Sequence, residues 1–383
     1  MKDGWIVCGS GPEGFASWEF GLSGGRFIGD GRYAAPGTDG VSVGGILIGP
    51  GRAARVGAAV YSCLPARFGT GGIREARLGR MAGASDAMLQ VMHSAAAAAL
   101  SNASVLILGE SGTGKELVAE YLGSIAGSMH GINMGAVPGD LAEAELFGWM
   151  RGSFTGAVDS RAGALEAAGC GVLFLDEIGE APAWVQVKLL RALDTRKFRR
   201  LGGGRDVELK ARVVAATNLD PIEGIASGRL RLDLLERLAC HVIRMPPLRS
   251  RPADIPCLLR LFSAAAVQGV RDQVPQPSPQ VIDLLRRWPW HGNVREFRNV
   301  VERVMLASLD GMSSERLVNA ALEQGRVFHA PGCDEASVPA SSRADEISAS
   351  GLPRSTYYYR LKRGRIPSDQ GPRRSVTASA SRT

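Results

Sequence analysis

The chain has 383 residues, of which 45% are hydrophobic and 22% are charged, and it carries a net charge of +7. At roughly 100 to 200 residues per domain, this length predicts two or three domains, and the composition excludes a wholly disordered chain. No stretch reaches the roughly 18 consecutive apolar residues of a membrane-spanning helix, and no signal-peptide pattern opens the chain. We therefore expect a soluble protein with no membrane partner.

The six cysteines are scattered, with no CxxC pair and no histidine at zinc-ligand spacing. This pattern indicates neither a disulfide framework nor a structural metal site, and it favours a cytoplasmic location. The charge is concentrated in residues 341–383, which hold nine basic and three acidic side chains. A basic tail on a nearly neutral body is typical of a protein with a polyanionic partner, or of a solvated disordered tail.

The composition and hydrophobic periodicity of the sequence change several times along the chain. Residues 1–76 are rich in glycine and lack regular periodicity, which predicts either disorder or a degenerate small domain of unknown fold. Over residues 77–247 short apolar runs alternate with helical sequence, which predicts an α/β fold with a parallel sheet covered by helices. Residues 248–310 have a helical pattern, and residues 311–342 are expected to form a linker. The predicted strands are 105–108, 131–134, 172–175 and 212–216.

A glycine-rich loop follows the predicted strand 105–108 and runs directly into a predicted helix at 116–122. Its glycines allow backbone N–H groups to converge on phosphate oxygens, the helix N-terminus adds a positive dipole, and Lys115 adds a point charge. This strand, loop and helix predict a phosphate-binding loop for ATP. Its members are Gly109, Glu110, Ser111, Gly112, Thr113, Gly114, Lys115 and Glu116.

Glu116 stands where serine or threonine would offer a hydroxyl to magnesium, so the metal must be held mainly by another group. The buried-strand pattern at 172–175 ends in two carboxylates, Asp176 and Glu177. In such an arrangement the first acid holds Mg²⁺ and the second orients or deprotonates the attacking water. We therefore expect Asp176 to be the metal ligand and Glu177 the catalytic base.

With these residues in place, the chain resembles the AAA+ domain of bacterial enhancer-binding proteins, the ATPases that activate sigma-54 RNA polymerase. The resemblance covers roughly residues 80–306 and extends more weakly to 344–362. It implies an AAA+ P-loop ATPase with an α-helical lid that uses ATP and Mg²⁺ and assembles into a ring of identical subunits, with a hexamer as one option. The segments that carry it are GESGTGKE (109–116), ELFG (145–148), GSFTGA (152–157), FLDEIGE (174–180), AATN (215–218), PPLRSR (246–251) and WPWHGNVRE (288–296).

The resemblance also implies roles around the nucleotide. Asn133 would hold Glu177 in an inactive orientation until the γ-phosphate is sensed, and Asn218 would contact that phosphate or the attacking water. Arg231 and Arg237 occupy arginine-finger positions that act on the ATP of the neighbouring subunit.

Two further functions follow from the resemblance. Arg295 opens a helix of the lid and would reach the phosphates of its own subunit. The loop 152–157 would contact the sigma factor, with Phe154 and Thr155 as the working residues. The members of this loop are Gly152, Ser153, Phe154, Thr155, Gly156 and Ala157.

Some residues depart from the family pattern. Trp149 and Met150 replace the usual His and Glu, Ser153 replaces Ala, and the segment before Asn133 is shorter than usual. These departures leave two alternatives open. One is a regulator that binds ATP and DNA without engaging the sigma factor, and the other is an AAA+ ATPase that remodels a different protein.

Residues 343–366 have the pattern of a helix, a turn at Gly351 and a second helix, followed by a basic tail at 367–383. The motif resembles the all-α Fis-type helix-turn-helix, which implies binding to double-stranded DNA. A decayed tail is the alternative. The DNA contacts would be made by Arg354, Ser355, Thr356, Tyr357 and Arg360. Together these expectations describe an activator that binds upstream DNA and remodels sigma-54 RNA polymerase to allow open-complex formation.

Overall fold

The computed structural model describes residues 2–11, 14–20, 26–27, 33–37, 40–43, 46–56, 59–68, 74–154, 157–266, 277–307 and 314–326. Two loop residues, Thr155 and Gly156, lie outside the described residues. The expected helix-turn-helix at 343–366, its five DNA-contact candidates and the basic tail also lie outside them. Among the described residues, no helix is both long enough and apolar enough to cross a membrane.

The N-terminal segment forms two antiparallel sheets, so disorder, one of its two expected states, is wrong for its described residues. One sheet has the strand order β10-β9-β8-β1-β2, with β7 also paired to β8, and the other has the order β3-β4-β5-β6. The strands are β1 Lys2–Gly11, β2 Gly14–Phe20, β3 Arg26–Phe27, β4 Tyr33–Gly37, β5 Gly40–Val43, β6 Ile46–Ile48, β7 Arg52–Val56, β8 Ala59–Phe68, β9 Arg74–Leu78 and β10 Met81–Gly83.

Strand β1 explains why this segment shows no alternating pattern. Trp5 and Val7 are buried in a core with residues of the second sheet, while Ile6 and Cys8 are buried in a core shared with the following helix. A strand covered on both faces becomes a continuous apolar run, which hides the two-residue period expected of a half-buried strand.

The central domain has a parallel sheet of order β12-β15-β18-β11-β19, as the apolar runs predict. Its strand β19 was not expected, because only two of its four residues are strongly apolar. Two further antiparallel pairs, β13 with β14 and β16 with β17, lie outside the parallel sheet. The strands are β11 Val105–Leu108, β12 Met129–Asn133, β13 Gly148–Trp149, β14 Arg161–Ala162, β15 Val172–Asp176, β16 Lys197–Phe198, β17 Val207–Glu208, β18 Arg212–Thr217 and β19 His241–Arg244.

Helices bury both faces of the parallel sheet, which accounts for the near-continuous apolar sequence of strands such as β11 and β15. The helices of this domain are α1 Asp86–Ala98, α2 Lys115–Ala126, α3 Gly139–Phe147, α4 Ala164–Ala167, α5 Ala183–Thr195, α6 Pro221–Ala226 and α7 Leu232–Leu238. Because all strands are parallel, the carboxyl ends of β11, β12, β15 and β18 lie along one edge, where polar side chains can meet.

A helical subdomain follows, with its own core around Trp290 and Phe297. Its helices are α8 Ile255–Ala266, α9 Pro279–Arg287, α10 Asn293–Ala307 and α11 Glu315–Arg326. Helix α11 corrects the expectation of a linker over 311–342. Val318, Ala321 and Leu322 fall at helical spacing and are buried in the same core, so apolar burial extends the subdomain past its expected end.

The N-terminal sheets pack directly against the central and helical domains. Glu75 of β9 is 4% exposed and forms an ion pair of 2.9 Å with Arg260 of α8. The Tyr121 hydroxyl of α2 donates to the carbonyl oxygen of Gly51. His93 of α1 hydrogen-bonds Ser62 of β8 through Nδ1 and Ser10 of β1 through Nε2, both at 2.8 Å. Buried polar contacts therefore join the sheets to three helices of the two other domains.

His93 should make the docking of these sheets sensitive to acid. Burial lowers its pKa from 6.5 to about 4, so the folded protein holds the neutral imidazole. Between these values the unfolded chain binds more protons than the folded one, so stability falls as the pH drops below about 6.5. We expect the free energy of unfolding in urea to fall by about 2 kcal/mol from this group between about pH 7.5 and pH 5.

The contribution of His93 is isolated by comparing two variants in the same urea titrations. His93→Gln should lose this part of the pH dependence, because glutamine does not titrate. His130→Gln changes an exposed histidine and should keep the wild-type pH profile. Equal pH profiles for His93→Gln and the wild type would contradict the assignment.

Candidate nucleotide site and exposed hairpin

The glycine-rich loop joins β11 to α2, as expected for a phosphate-binding loop. Gly112 and Gly114 have φ angles of 75° and 99°, in the left-handed region that favours glycine. Helix α2 starts after Gly114 with no side-chain cap, so the N–H groups of its first turn need partners from outside the helix. Phosphate oxygens suit such donors, and the dipole of α2 favours negative charge at this end.

Lys115 is the buried cation of this loop, with 7% of its side chain exposed. Its Nζ donates to the carbonyl oxygens of Gly109 at 2.9 Å and Glu110 at 3.2 Å, and lies 3.9 Å from Oε1 of Glu177. Burial lowers the pKa of Lys115, and the nearby carboxylates of Glu177 and Asp176 oppose that shift. A buried ammonium held by two carbonyl groups is suited to bind phosphate.

Asp176 and Glu177 lie at the carboxyl end of β15. Oδ1 of Asp176 accepts a hydrogen bond from the backbone N–H of Glu177 at 3.0 Å. Glu177 has a φ of 51°, an uncommon conformation for a non-glycine residue and one often found at functional sites. Its Oε2 accepts from the backbone N–H of Asn218 at 3.3 Å, which links this acid to the end of β18.

Asn133 contacts a different carboxylate from the one expected. Its register partner across the sheet is Asp176, and its Nδ2 donates to Oδ2 of Asp176 at 3.1 Å. Its Oδ1 accepts from the N–H groups of Gly135 and Ala136, which fixes the amide orientation. In this structure Asn133 therefore orients the expected metal ligand and does not hold Glu177.

The donor set suits a magnesium ion bound together with a nucleotide. Mg²⁺ takes oxygen ligands and is held in such sites by one or two carboxylates together with substrate phosphates. Asp176, at the carboxyl end of β15, could supply such a carboxylate. Among the described residues, no group of three or more histidine, cysteine or acidic side chains forms a metal site by itself.

The start of α10 closes over the phosphate-binding loop. The N–H groups of Val294 and Arg295 donate to the Gly112 carbonyl oxygen at 2.9 and 3.3 Å. Nη1 of Arg295 donates to Oγ of Ser111 at 2.9 Å, so the expected cis arginine does reach the loop. A Cβ atom at Gly112 would lie 2.4 Å from the carbonyl oxygen of Gly292, so only glycine permits this close approach.

Three residues at this contact were not assigned a role from the sequence. Nδ2 of Asn293 donates to Oε2 of Glu110 at 3.1 Å, and Nη1 of Arg249 donates to the same oxygen at 2.7 Å. The hydrogen bond from Arg249 is the main reason that the pKa of Glu110 is lowered. Arg251 is 2% exposed, and its Nη2 donates to the Thr113 carbonyl oxygen at 3.1 Å. All three lie in the PPLRSR and GNVRE segments, which the sequence analysis identified as family motifs. The sequence did not indicate which residues of the phosphate-binding loop they contact.

Arg231 and Arg237 lie at the two ends of α7 and pair with acids of their own surface. Arg231 forms an ion pair with Asp233 at 2.6 Å, and Arg237 forms one with Asp194 at 3.1 Å. Both arginines are about half exposed, with 43% and 47% of their side chains accessible. Within the described residues, neither makes a hydrogen bond or ion pair with the phosphate-binding loop of its own chain.

Gly152, Ser153, Phe154 and Ala157 lie between the paired strands β13 and β14, and these four described residues are referred to as the hairpin tip. The N–H of Gly152 donates to the Ala157 carbonyl oxygen at 2.9 Å, and the N–H of Ala157 donates to that of Phe154 at 3.0 Å. Phe154 is 41% exposed, whereas Ala157 is buried. Oγ of Ser153 is buried and has no hydrogen-bond partner among the described residues, at the position where the resemblance expects alanine.

Comparison with known proteins agrees with this architecture. Residues 81–244 match the family described as "Sigma-54 interaction domain", and residues 249–330 match "AAA+ ATPase lid domain". The transcriptional regulatory protein ZraR of Klebsiella oxytoca is 42% identical over 263 residues, covering 68% of this chain and 59% of that protein. The formate hydrogenlyase transcriptional activator of Salmonella typhimurium strain LT2 is 40% identical over 236 residues, covering 61% of this chain and 34% of that protein.

A solved structure, NtrX from Brucella abortus in complex with ATP, aligns with a TM-score of 0.57 and 29% identity. It covers 75% of this chain and 62% of that chain. The chain spans about three fifths of the length of ZraR and about a third of the length of the formate hydrogenlyase activator. The family matches explain the helical subdomain, including α11, as the AAA+ lid. The chain therefore contains the sigma-54 interaction domain and lid of an AAA+ ATPase, and it is homologous to sigma-54-dependent transcriptional activators.

Proposed function

We propose that this protein hydrolyses ATP and uses the energy to remodel sigma-54 RNA polymerase at a promoter, so that the open complex can form. The observation that carries the proposal is one α/β domain that combines a phosphate-binding loop and two carboxylates at one sheet edge with a half-exposed phenylalanine, Phe154, between β13 and β14. A large apolar ring at a loop tip favours a protein partner. The family description "Sigma-54 interaction domain" and the name of the formate hydrogenlyase transcriptional activator favour the same partner.

Several contacts support the roles that we propose at the nucleotide. Lys115 would bind the phosphates, Asp176 would hold Mg²⁺ in the orientation set by Asn133, and Glu177 would accept a proton from the attacking water. Asn218 lies next to Glu177 at the end of β18, where its side chain can sense the γ-phosphate. Bound MgATP supplies the phosphoryl group whose transfer to water releases the energy.

We infer that Arg231 and Arg237 act on the nucleotide of a neighbouring subunit in a ring. Their half-exposed ion pairs are of the surface type that contributes little to stability, so these contacts are readily exchanged. An arginine that reaches the transferring phosphoryl group from another subunit can raise the hydrolysis rate by about 10³ to 10⁵. This role requires a homo-oligomer.

We infer that the basic C-terminal segment binds upstream DNA. The support is its sequence, in which a helix-turn-helix pattern at 343–366 carries Arg354 and Arg360 and is followed by further arginines. Phosphate neutralisation by such side chains supplies salt-dependent affinity, and base contacts supply sequence preference.

The test of the proposed function is open-complex formation on a sigma-54 promoter with purified protein and ATP, together with capture of sigma-54 in the presence of ADP and aluminium fluoride. Phe154→Ala should abolish both activities, because it removes the exposed ring from the hairpin tip. Its ATP turnover should stay within about twofold of the wild type, since surface changes usually cost under about 0.5 kcal/mol.

Trp184→Ala is the matched control. Trp184 is 44% exposed on α5, close to the 41% of Phe154, and its loss should leave sigma-54 capture unchanged. If the wild type binds DNA and hydrolyses ATP but captures no sigma-54, the activator proposal falls. A regulator that does not engage the sigma factor then takes its place.

A further inference from the structure

The aromatic ring at the hairpin tip packs against a second aromatic ring at the hairpin base. Trp149 is the last residue of β13 and pairs with Arg161 of β14. The ring centroids of Trp149 and Phe154 lie 5.8 Å apart at an interplanar angle of 63°. This edge-to-face geometry is one of the two arrangements that aromatic pairs prefer, and it stabilises a pair beyond the area that the rings bury.

Trp149 is in turn held by the body of the domain. The Arg161 guanidinium lies 5.4 Å from the centroid of the Trp149 ring, and Nη1 of Arg161 lies 3.4 Å from Oε1 of Glu145 on α3. On the main chain, the N–H groups of Met150 and Leu201 donate to the carbonyl oxygens of Leu201 and Gly148, both at 2.9 Å. The Trp149 ring is thus linked to α3 through Arg161, and the main chain on either side of Trp149 is hydrogen-bonded to Leu201. Phe154, in contrast, lies on the tip.

Within the described residues, the tip has few main-chain restraints of its own. It is built on glycine at 152, with a φ of 80°, and its main-chain hydrogen bonds close only short turns. A tip that must be ordered during binding loses conformational entropy, which weakens the complex. Contact with Trp149 orders Phe154 before a partner arrives, while 41% of the Phe154 side chain stays exposed for that partner.

We propose that Trp149 is a positioning residue that holds Phe154 in the orientation in which it binds the sigma factor. This inference rests on the proposed function, because it concerns the same hairpin. The inference also gives a role to one of the residues that depart from the family pattern. Trp149 supplies an aromatic ring for Phe154 to pack against, at a position where the family has histidine. Replacement of Trp149 therefore removes the ring contact that orients Phe154, while Phe154 itself stays in place.

The effect of the Trp149–Phe154 contact on the tip can be tested without the sigma factor, by amide hydrogen exchange of the full chain. The amides of Gly152, Ser153 and Ala157 donate main-chain hydrogen bonds within the tip and report its order. In Trp149→Ala these amides should exchange roughly three- to tenfold faster, whereas Trp149→Phe should restore most of the protection. Trp184→Ala should exchange at the wild-type rate in this segment. Unchanged exchange in Trp149→Ala overturns the proposal.

The functional consequence is measured by titrating purified sigma-54 against each variant with ADP and aluminium fluoride. Trp149→Ala should bind roughly tenfold more weakly, and Trp149→Phe should bind within about threefold of the wild type. Equal or tighter binding by Trp149→Ala overturns the proposal, because the contact would then be neutral or inhibitory. If the wild type does not bind sigma-54, the proposed function fails, whereas the hydrogen exchange result still decides whether Trp149 orders the tip.

Discussion

Lys115→Ala should weaken ATP binding by about 30- to 1,000-fold, which corresponds to about 2 to 4 kcal/mol. Only 7% of the Lys115 side chain is exposed, and two carbonyl oxygens orient its ammonium. Charge is poorly screened at such a position, so the phosphates lose an interaction that water cannot replace. The measurement is a titration with a fluorescent ATP analogue at fixed Mg²⁺.

Lys197→Ala is the control for this experiment. It removes an exposed lysine from the β16–β17 hairpin and should bind ATP with wild-type affinity. Circular dichroism on both variants checks that the α/β domain remains folded. Wild-type ATP affinity in a folded Lys115→Ala protein would refute the assignment of the phosphate-binding loop.

Glu177→Gln should keep ATP affinity while hydrolysis falls by about 10² to 10⁴. The amide can still accept the hydrogen bond from the Asn218 N–H, so the local geometry is preserved, but it cannot take the proton of the attacking water. Affinity and steady-state turnover are measured on the same preparation. Asp283→Asn is a control that changes an exposed acid of α9, and it should leave turnover at the wild-type level. Undiminished turnover in Glu177→Gln would move the catalytic base to another residue.

The same variant tests whether arginine acts between subunits. Arg237→Ala and Glu177→Gln subunits should each be nearly inactive alone. Equal mixing in a ring with head-to-tail interfaces creates about one quarter of interfaces that join an intact Glu177 to an intact Arg237. ATP turnover should therefore recover on mixing. Absence of recovery in rings shown to contain both subunits would assign Arg237 to its own subunit.

The local motifs of the nucleotide site could be recognised from the sequence because each is made of consecutive residues. The loop 109–116 needs its glycines and Lys115 within one turn, and the strand ending in Asp176 and Glu177 combines burial and charge in one run. The parallel sheet could also be predicted from the sequence, since strands covered by helices on both faces become apolar runs, here of four residues each in β11, β15 and β18. The exposed hairpin at 152–157 was located by its motif, although Thr155 and Gly156 lie outside the described residues.

The sequence by itself thus predicted the fold class of the central domain, and it located the residues proposed to bind the nucleotide and the loop proposed to contact the sigma factor. Only the tertiary structure decided how these residues pair, because the partners are far apart along the chain. Asn133 contacts Asp176 because the two residues are partners on neighbouring strands. Arg249 and Asn293 donate hydrogen bonds to Glu110 of the phosphate-binding loop. The ring of Phe154 packs on that of Trp149. The N-terminal sheets depended on tertiary structure most, since their two buried faces hide the strand period and long-range antiparallel pairing holds them together.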